Sequence, residues 1–387
     1  MDHEGRDRTR VLANARVVRE REVIEGGVAI RDGRVASIDP GPSSARGAED
    51  LGGDWLIPGL VELHTDHLET HLAPRPSVRW SEPGAIQAHD AQVACSGITT
   101  VFDCLRVGRD EGDAFEADDI LALAAALRRA GREDRLRAAH RLHLRCEVSA
   151  PGALAELERL LEAEDVHLVS LMDHAPGQRQ FASIEAARIY YRATHGYTET
   201  EFERFVATRV AHSERFADPQ RRAIAAACRE RGIPMASHDD ASAAHVDESA
   251  ALGVGIAEFP TTMEAARRAH ERSMAVLMGA PNVVRGLSHS GNVGARELAA
   301  AGRLDVLSSD YVPSSLLQAV FLLALDLELC SVPEAVALAS ANPARAAGLD
   351  GVGRISVGAT ADLVQVSASP GSVPVVRRAW RAGRRVA

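Results

Sequence analysis

Eight short apolar runs recur through the middle of this 387-residue chain, with helical stretches between them. They lie at 60–64 (LVELH), 97–103 (GITTVFD), 141–148 (RLHLRCEV), 166–173 (VHLVSLMD), 233–239 (IPMASHD), 256–260 (IAEFP), 274–281 (MAVLMGAP) and 304–310 (LDVLSSD). The intervening stretches, such as DILALAAALRRAG, PGALAELERLLEAE and PQRRAIAAACRERG, carry apolar residues three and four apart and close near Gly or a charge. A strand that must run parallel to the previous one needs a helical crossover, so eight such alternations predict an α/β fold, a (β/α)8 TIM-like barrel.

The two ends read differently. VLANARVV and GGVAIRDGRVASIDP near the start, and GVGRISVGATADLVQV and VPVVRRAWRAGRRV near the end, are strand-like runs broken by turn residues. The expected division is a small β-sandwich-like domain built from residues 1–57 and 346–387, flanking a barrel at 58–345. The segment from Ile184 to Asp218 reads as a long helical insertion after the fourth barrel strand.

Composition removes several functions. All 44 basic residues are arginine, so a Schiff-base lysine, a Lys-dependent phosphate loop and a carboxylated lysine bridging two metals are all excluded. A net charge of −10 repels nucleic acid, and 4% aromatic residues leave little for base stacking. Five scattered cysteines without a CxxC pair suit a reducing cytoplasm, and the N-terminus lacks the apolar core of a signal peptide. Leu316 to Leu329, the most apolar helical stretch, is interrupted by Gln318, Asp326 and Glu328, so no membrane association is expected. A homo-oligomer is left open.

In such a barrel, chemistry collects at the C-terminal ends of the strands. His64 and Asp66 close the first run, Glu147 ends the third, His174 follows the fourth, His238 closes the fifth and Asp310 ends the eighth. Residues i and i+2 on a strand point the same way, which would let His64 and Asp66 converge. Any one of these alone reads as a hydrogen-bonding residue or a helix cap. Six nitrogen and oxygen ligands, all at one edge, suit two divalent ions about 4 Å apart, zinc first and manganese or iron next. Hydrolysis is the natural reaction class.

These residues sit in stretches that resemble a known group. IPGLVELHTD, the Asp of the eighth run, NPARAAGL and GRISVGATADLV resemble the amidohydrolase superfamily. HTDHLETHLAPRP, HRLHLRCE, VSLMDHAPGQRQF, ASHDDAS, IAEFPTTMEAA and GAPNVVRGLSHSGNV resemble, more closely, the α-D-ribose 1-methylphosphonate 5-triphosphate diphosphatase family of the carbon–phosphorus lyase pathway. The resemblance covers essentially the whole chain. It implies hydrolysis between the α- and β-phosphates of a phosphorylated sugar, with pyrophosphate released. It also implies His64, Asp66, Glu147, His174, His238 and Asp310 as metal ligands, with Asp310 taking the proton of the attacking water.

Many superfamily members bridge their metals through a carboxylated lysine; here Glu147 is expected in that place. The family commonly has Asn at the position of His67 and Lys at that of Thr70, and this chain departs from it at both. The superfamily's paired histidines follow strands five and six, whereas the count here puts His174 and His238 after four and five. His289 competes as a catalytic residue, a metal ligand or a substrate contact.

Without lysine, arginine must hold a triphosphate, and its planar fork matches phosphate oxygens. The expected contacts are Arg75, Arg79, Arg179 and Arg285, with Gln178, Asn282 and Ser288 as neutral donors. Two other readings compete: an amidohydrolase that opens a cyclic amide or deaminates a ring, and a metal-free scaffold with the barrel retained.

Overall fold

The computed structural model describes residues 9–75, 77–109, 115–179, 188, 198–288 and 291–387. All eight predicted barrel strands form: β6 (Leu60–Thr65), β7 (Ile98–Val107), β8 (Ala139–Glu147), β9 (Val166–Met172), β10 (Met235–His238), β11 (Ile256–Glu258), β12 (Ala275–Gly279) and β13 (Val306–Ser308). Each pairs in parallel with the next in sequence. The seam closes where Asp66 N–H donates to Asp310 O at 3.0 Å and Asp310 N–H donates to His64 O at 3.1 Å.

The strands separate two apolar layers by alternation. Val61, Leu63, Phe102, Leu168, Ala236, Ile256, Leu277 and Val306 make one cluster inside the barrel. Their neighbours Val169, Ala257, Val276 and Leu307 belong to the larger cluster between strands and helices. The helix Ala117–Arg132 shows why the outer layer forms. A capping box between Glu116 and Asp119 starts it, Ile120, Leu123, Ala124 and Leu127 make its buried face, and Arg129 and Arg132 lie in its last turn.

From Glu199 on, the insertion between β9 and β10 is helical: Glu199–His212, a π-helical turn Ser213–Ala217, then Asp218–Arg231. The Leu316 stretch becomes a helix Ser315–Phe321 followed by a π-helical turn Leu322–Asp326. Among the described residues, no helix is long and apolar enough to cross a membrane.

The strands from the two ends pair with one another. β1 (Arg10–Val18), β2 (Val23–Arg31), β3 (Arg34–Pro40), β4 (Glu49–Asp50) and β5 (Trp55–Pro58) join β14 (Leu363–Ser367), β15 (Val375–Arg381) and β16 (Arg384–Arg385) in a single sheet. Leu12, Val28, Leu56, Leu363 and Trp380 form its own core. Trp55, Val364 and Ala379 on this sheet join the barrel's outer cluster. Gly59 makes the step from sheet to barrel, and a Cβ there would stand 2.1 Å from the Thr99 hydroxyl.

A buried polar chain ties the helix Glu82–Cys95 to the outside of the barrel. His89 Nε2 and His140 Nδ1 each lie 2.8 Å from one oxygen of Asp103. Asp90 accepts from the backbone N–H of Arg137 and Ala138. Burial lowers the pKa of His140, but Asp103 and Asp90 outweigh it and raise it from 6.5 to about 9. The stability His140 supplies is therefore full below pH 6.5 and lost as pH rises through 9. His140→Asn is expected to lower unfolding free energy by about 1–3 kcal/mol at pH 6 and to flatten its decline between pH 6.5 and 9. Urea titrations at both ends of that window check it; parallel pH curves for the two proteins contradict it.

Candidate metal centre

His238 and Glu258 stand two residues beyond Ala236 and Ile256 on their strands, so each points inward just above the apolar layer. His64 arrives differently. Val61 and Leu63 already face inward, and strict alternation would turn His64 away. The register shift between Glu62 and Thr65 breaks the alternation, and His64 enters the same space.

There the His64 ring lies 5.5 Å from that of His143 and 5.7 Å from that of His238. Its Nδ1 is 3.2 Å from Glu258 Oε1, yet the two are not aligned as a hydrogen bond. Among the described residues, His64 Nδ1, His238 Nε2 and both Glu258 oxygens are buried without a hydrogen-bond partner. Donor atoms that face one another at this distance with no hydrogen bond are what a shared cation requires. Burial raises the pKa of Glu258, but His64 and His143 outweigh it and hold it at about 2.

A second group adjoins the first. One ring nitrogen of His174, one of His238 and an oxygen of Asp239 lie within 4.8 Å of one another. Two carboxylates orient these rings: Glu147 Oε2 is 2.7 Å from His174 Nδ1, and Asp239 Oδ2 is 2.9 Å from His238 Nδ1. Each ring is left with its Nε2 for another partner, the arrangement that second-shell carboxylates impose on metal-binding histidines. Burial raises the pKa of Glu147, but His174 and Arg209 bring it far below the ordinary carboxylate range.

Glu147, expected to bridge two metals, is placed otherwise. Its oxygens take the His174 ring, the Ser149 hydroxyl at 2.7 Å and the His174 backbone N–H at 3.1 Å. Among the described residues, Glu258 is buried with both oxygens unpartnered, and the sequence reading missed it. The strand count explains why: all eight strands stand where they were counted, so His174 and His238 do follow strands four and five, and Glu258 ends strand six. The signal was present, since Glu258 closes IAEFP as Asp310 closes LDVLSSD.

A cavity of about 340 Å³ is not at this centre but at the opposite, lower face, by Val18 and Leu349. The cavity over the barrel mouth, about 310 Å³, is lined by His64, Asp66, Arg145, His238, Asp239 and Asp310. Asn282, Arg285 and Ser288 stand on its wall with Tyr311. Asp66 pairs with Arg145, a residue the sequence reading also missed. Arg145 lies two positions from His143 and two from Glu147, so strand alternation alone turns all three inward. Loss of hydration raises the pKa of Asp310; His64 offsets this and Asp66 adds to it.

The other expected phosphate contacts are not brought to this cavity. Arg179 is buried in ion pairs with Asp240 and Glu248, so its charge is already matched. Burial and neighbouring Arg221 lower its pKa to about 10. Arg79 reaches Asp119 at 3.0 Å, while Arg75 and Gln178 are exposed away from the lining. His289 lies outside the described residues.

Three backbone strains gather here. Asp239, Phe259 and Asp310 have φ of 56°, 52° and 55°, each close after β10, β11 or β13. Such values are uncommon for non-glycine residues, least so for Asp, and strain of this kind concentrates at functional sites. The Phe259 ring sits 4.9 Å from that of His64 and 5.3 Å from that of His238, so its turn packs the two histidines.

Comparison with known proteins agrees with this geometry. The amidohydrolase family matches residues 55–384. The alpha-D-ribose 1-methylphosphonate 5-triphosphate diphosphatase of Escherichia coli strain K12 is 45% identical over 379 residues, covering 97% of this chain and 100% of that protein. The imidazolonepropionase of Deinococcus deserti is 26% identical over 386 residues, covering 92% and 91%. Among solved structures, 5-methylcytosine deaminase from Klebsiella pneumoniae superposes with a TM-score of 0.64 at 16% identity, covering 97% and 98%. With the barrel, its inward ring of histidines and acids, and a family match over most of its length, this chain belongs to the amidohydrolase family.

Proposed function

We propose that the chain removes pyrophosphate from α-D-ribose 1-methylphosphonate 5-triphosphate and leaves the 5-phosphate. The observation that carries this reading is a single cavity with His64, His238 and Asp310 beside Asn282, Arg285 and Ser288. The relative at 45% identity bears the name of that activity. A neutral ring substrate would not call for the exposed Arg285 at this opening.

The unpartnered nitrogens and oxygens fit two divalent ions, which His64, Asp66, His174, His238, Asp310 and Glu258 would hold. Zinc suits the imidazole and carboxylate donors, as do manganese and iron; when bound, such ions lower the pKa of water and screen phosphate charge. Asp66 Oδ1 pairs with Arg145, which leaves its other oxygen as the one that would serve an ion. Glu147 and Asp239 orient His174 and His238. Asp310, with its pKa raised by lost hydration, is suited to take a proton from attacking water. Arg285, exposed on the wall, meets the charge of the phosphates, while Arg145 is held by Asp66.

The assay is incubation with the 5-triphosphorylated ribose phosphonate, with pyrophosphate and inorganic phosphate measured separately. Pyrophosphate in one step supports the reading. Single phosphates released in succession point to a general phosphatase, and turnover of a cyclic amide alone points to a ring amidohydrolase. Arg285→Ala is expected to raise KM roughly 10- to 100-fold with a smaller change in kcat, the loss of one charge-assisted contact. Steady-state kinetics over a wide substrate range check this, and an unchanged KM removes Arg285 from binding.

A further inference from the structure

Outside the hydrolytic centre, three histidines meet where the short helix after the first barrel strand packs on the helix Glu82–Cys95. His67 and His71 flank and end the short helix Leu68–Leu72, four residues apart and so on one face. His89 reaches them from the helix Glu82–Cys95 and is fully buried. The ring centres of His67 and His71 are 4.8 Å apart, those of His67 and His89 6.0 Å, and those of His71 and His89 6.1 Å. One nitrogen from each ring lies within 4.8 Å of one from each of the others. Among the described residues, His67 Nδ1, His71 Nε2 and His89 Nδ1 are all buried without a hydrogen-bond partner.

An ordinary histidine cluster does not account for this. Asp103 lies 2.8 Å from His89 Nε2, and in the neutral ring that donates to it Nδ1 is the nitrogen free to bind an ion. Unpartnered buried ring nitrogens on three histidines this close together form an unsatisfied polar set whose ordinary remedy is an ion or a water. The wider surroundings favour the ion. Asp103 behind His89 makes the carboxylate–histidine arrangement that fixes the tautomer of a metal ligand and raises its basicity. Zinc–nitrogen bonds of about 2.0–2.1 Å put the ring centres around one ion roughly 5 Å apart, close to the separations seen.

We infer that His67, His71 and His89 form a tri-histidine site for a zinc ion, separate from the centre at His64, His238 and Glu258. His67 and His71 are half-buried, which leaves a fourth position open to solvent water. The ion ties a five-residue helix, too short to be stable alone, to the long helix behind it. Since His67 directly follows Asp66, the same ion steadies the turn that leads out of the hydrolytic centre.

Two experiments test this on the full chain, with zinc alone as the probe. Crystals equilibrated with zinc are measured for anomalous scattering at the zinc edge. A peak between the three rings, distinct from any at His64 and His238, is expected. Density there without an anomalous signal means a water and overturns the site, as does an empty position when the other centre is filled. In solution, zinc per chain is counted by mass spectrometry after dialysis of wild type, His71→Gln and His67→Asn. Each variant is expected to hold about one zinc fewer. Equal zinc content in all three overturns the proposal, and the crystal measurement on wild type decides should a variant not fold. Neither readout uses turnover, so failure of the hydrolase reading leaves this result interpretable.

Discussion

Asp310→Asn is expected to give a folded protein whose pyrophosphate release is lower by roughly 10²–10⁴-fold, the range for loss of a positioned general base. The fold should survive because Asp310 closes the barrel through its backbone, by hydrogen bonds with His64 and Asp66 that the substitution leaves in place. Its φ of 55° is also one that Asn adopts readily. What the amide cannot do is accept the proton of the attacking water. Lost hydration raises the pKa of Asp310, which makes it a better proton acceptor than an ordinary carboxylate. Single-turnover assays beside thermal melts check both halves, and unchanged turnover in a folded variant removes Asp310 from the mechanism.

The second large effect separates two glutamates. Glu258→Gln is expected to reduce both retained metal and turnover by more than the roughly 10- to 100-fold typical of losing an orienting partner. Glu258 faces His64 with both oxygens unpartnered, and an amide offers a weaker ligand with one oxygen instead of two. Glu147→Gln is expected to fall within that range, because Glu147 acts on His174 through its Nδ1. Metal retained after dialysis at fixed free zinc, measured with kcat for both variants, distinguishes them. Metal lost from Glu147→Gln but kept by Glu258→Gln returns the bridging role to Glu147.

The barrel was legible because its signal is local. Each strand is a short apolar run next to a helix with three- and four-residue spacing, and all eight were found within a few residues of their ends. The site was legible only in part. His64, Asp66, His238 and Asp310 do share one cavity, and Asn282, Arg285 and Ser288 share it with them. Arg179 failed because an arginine in a loop near the site looks the same in sequence whether it meets a substrate or two buried acids. Asp240 and Glu248 lie about 60 and 70 residues away along the chain and become its neighbours only when the strand β10 and the following helix pack.

The sequence by itself determined the strand positions, the edge where acids and histidines gather, and the absence of any lysine to bridge metals or bind phosphates. These depend on residue type and spacing, and both are read along a single strand or helix. Only the tertiary structure decided which acid faces a metal. Glu147 and Glu258 both end barrel strands and both point inward, yet one meets His174 and Arg209 while the other meets His64. Those partners come from other strands and from the insertion, and the register shift in β6 turns His64 toward Glu258. Barrel closure sets those encounters, and no local pattern encodes them.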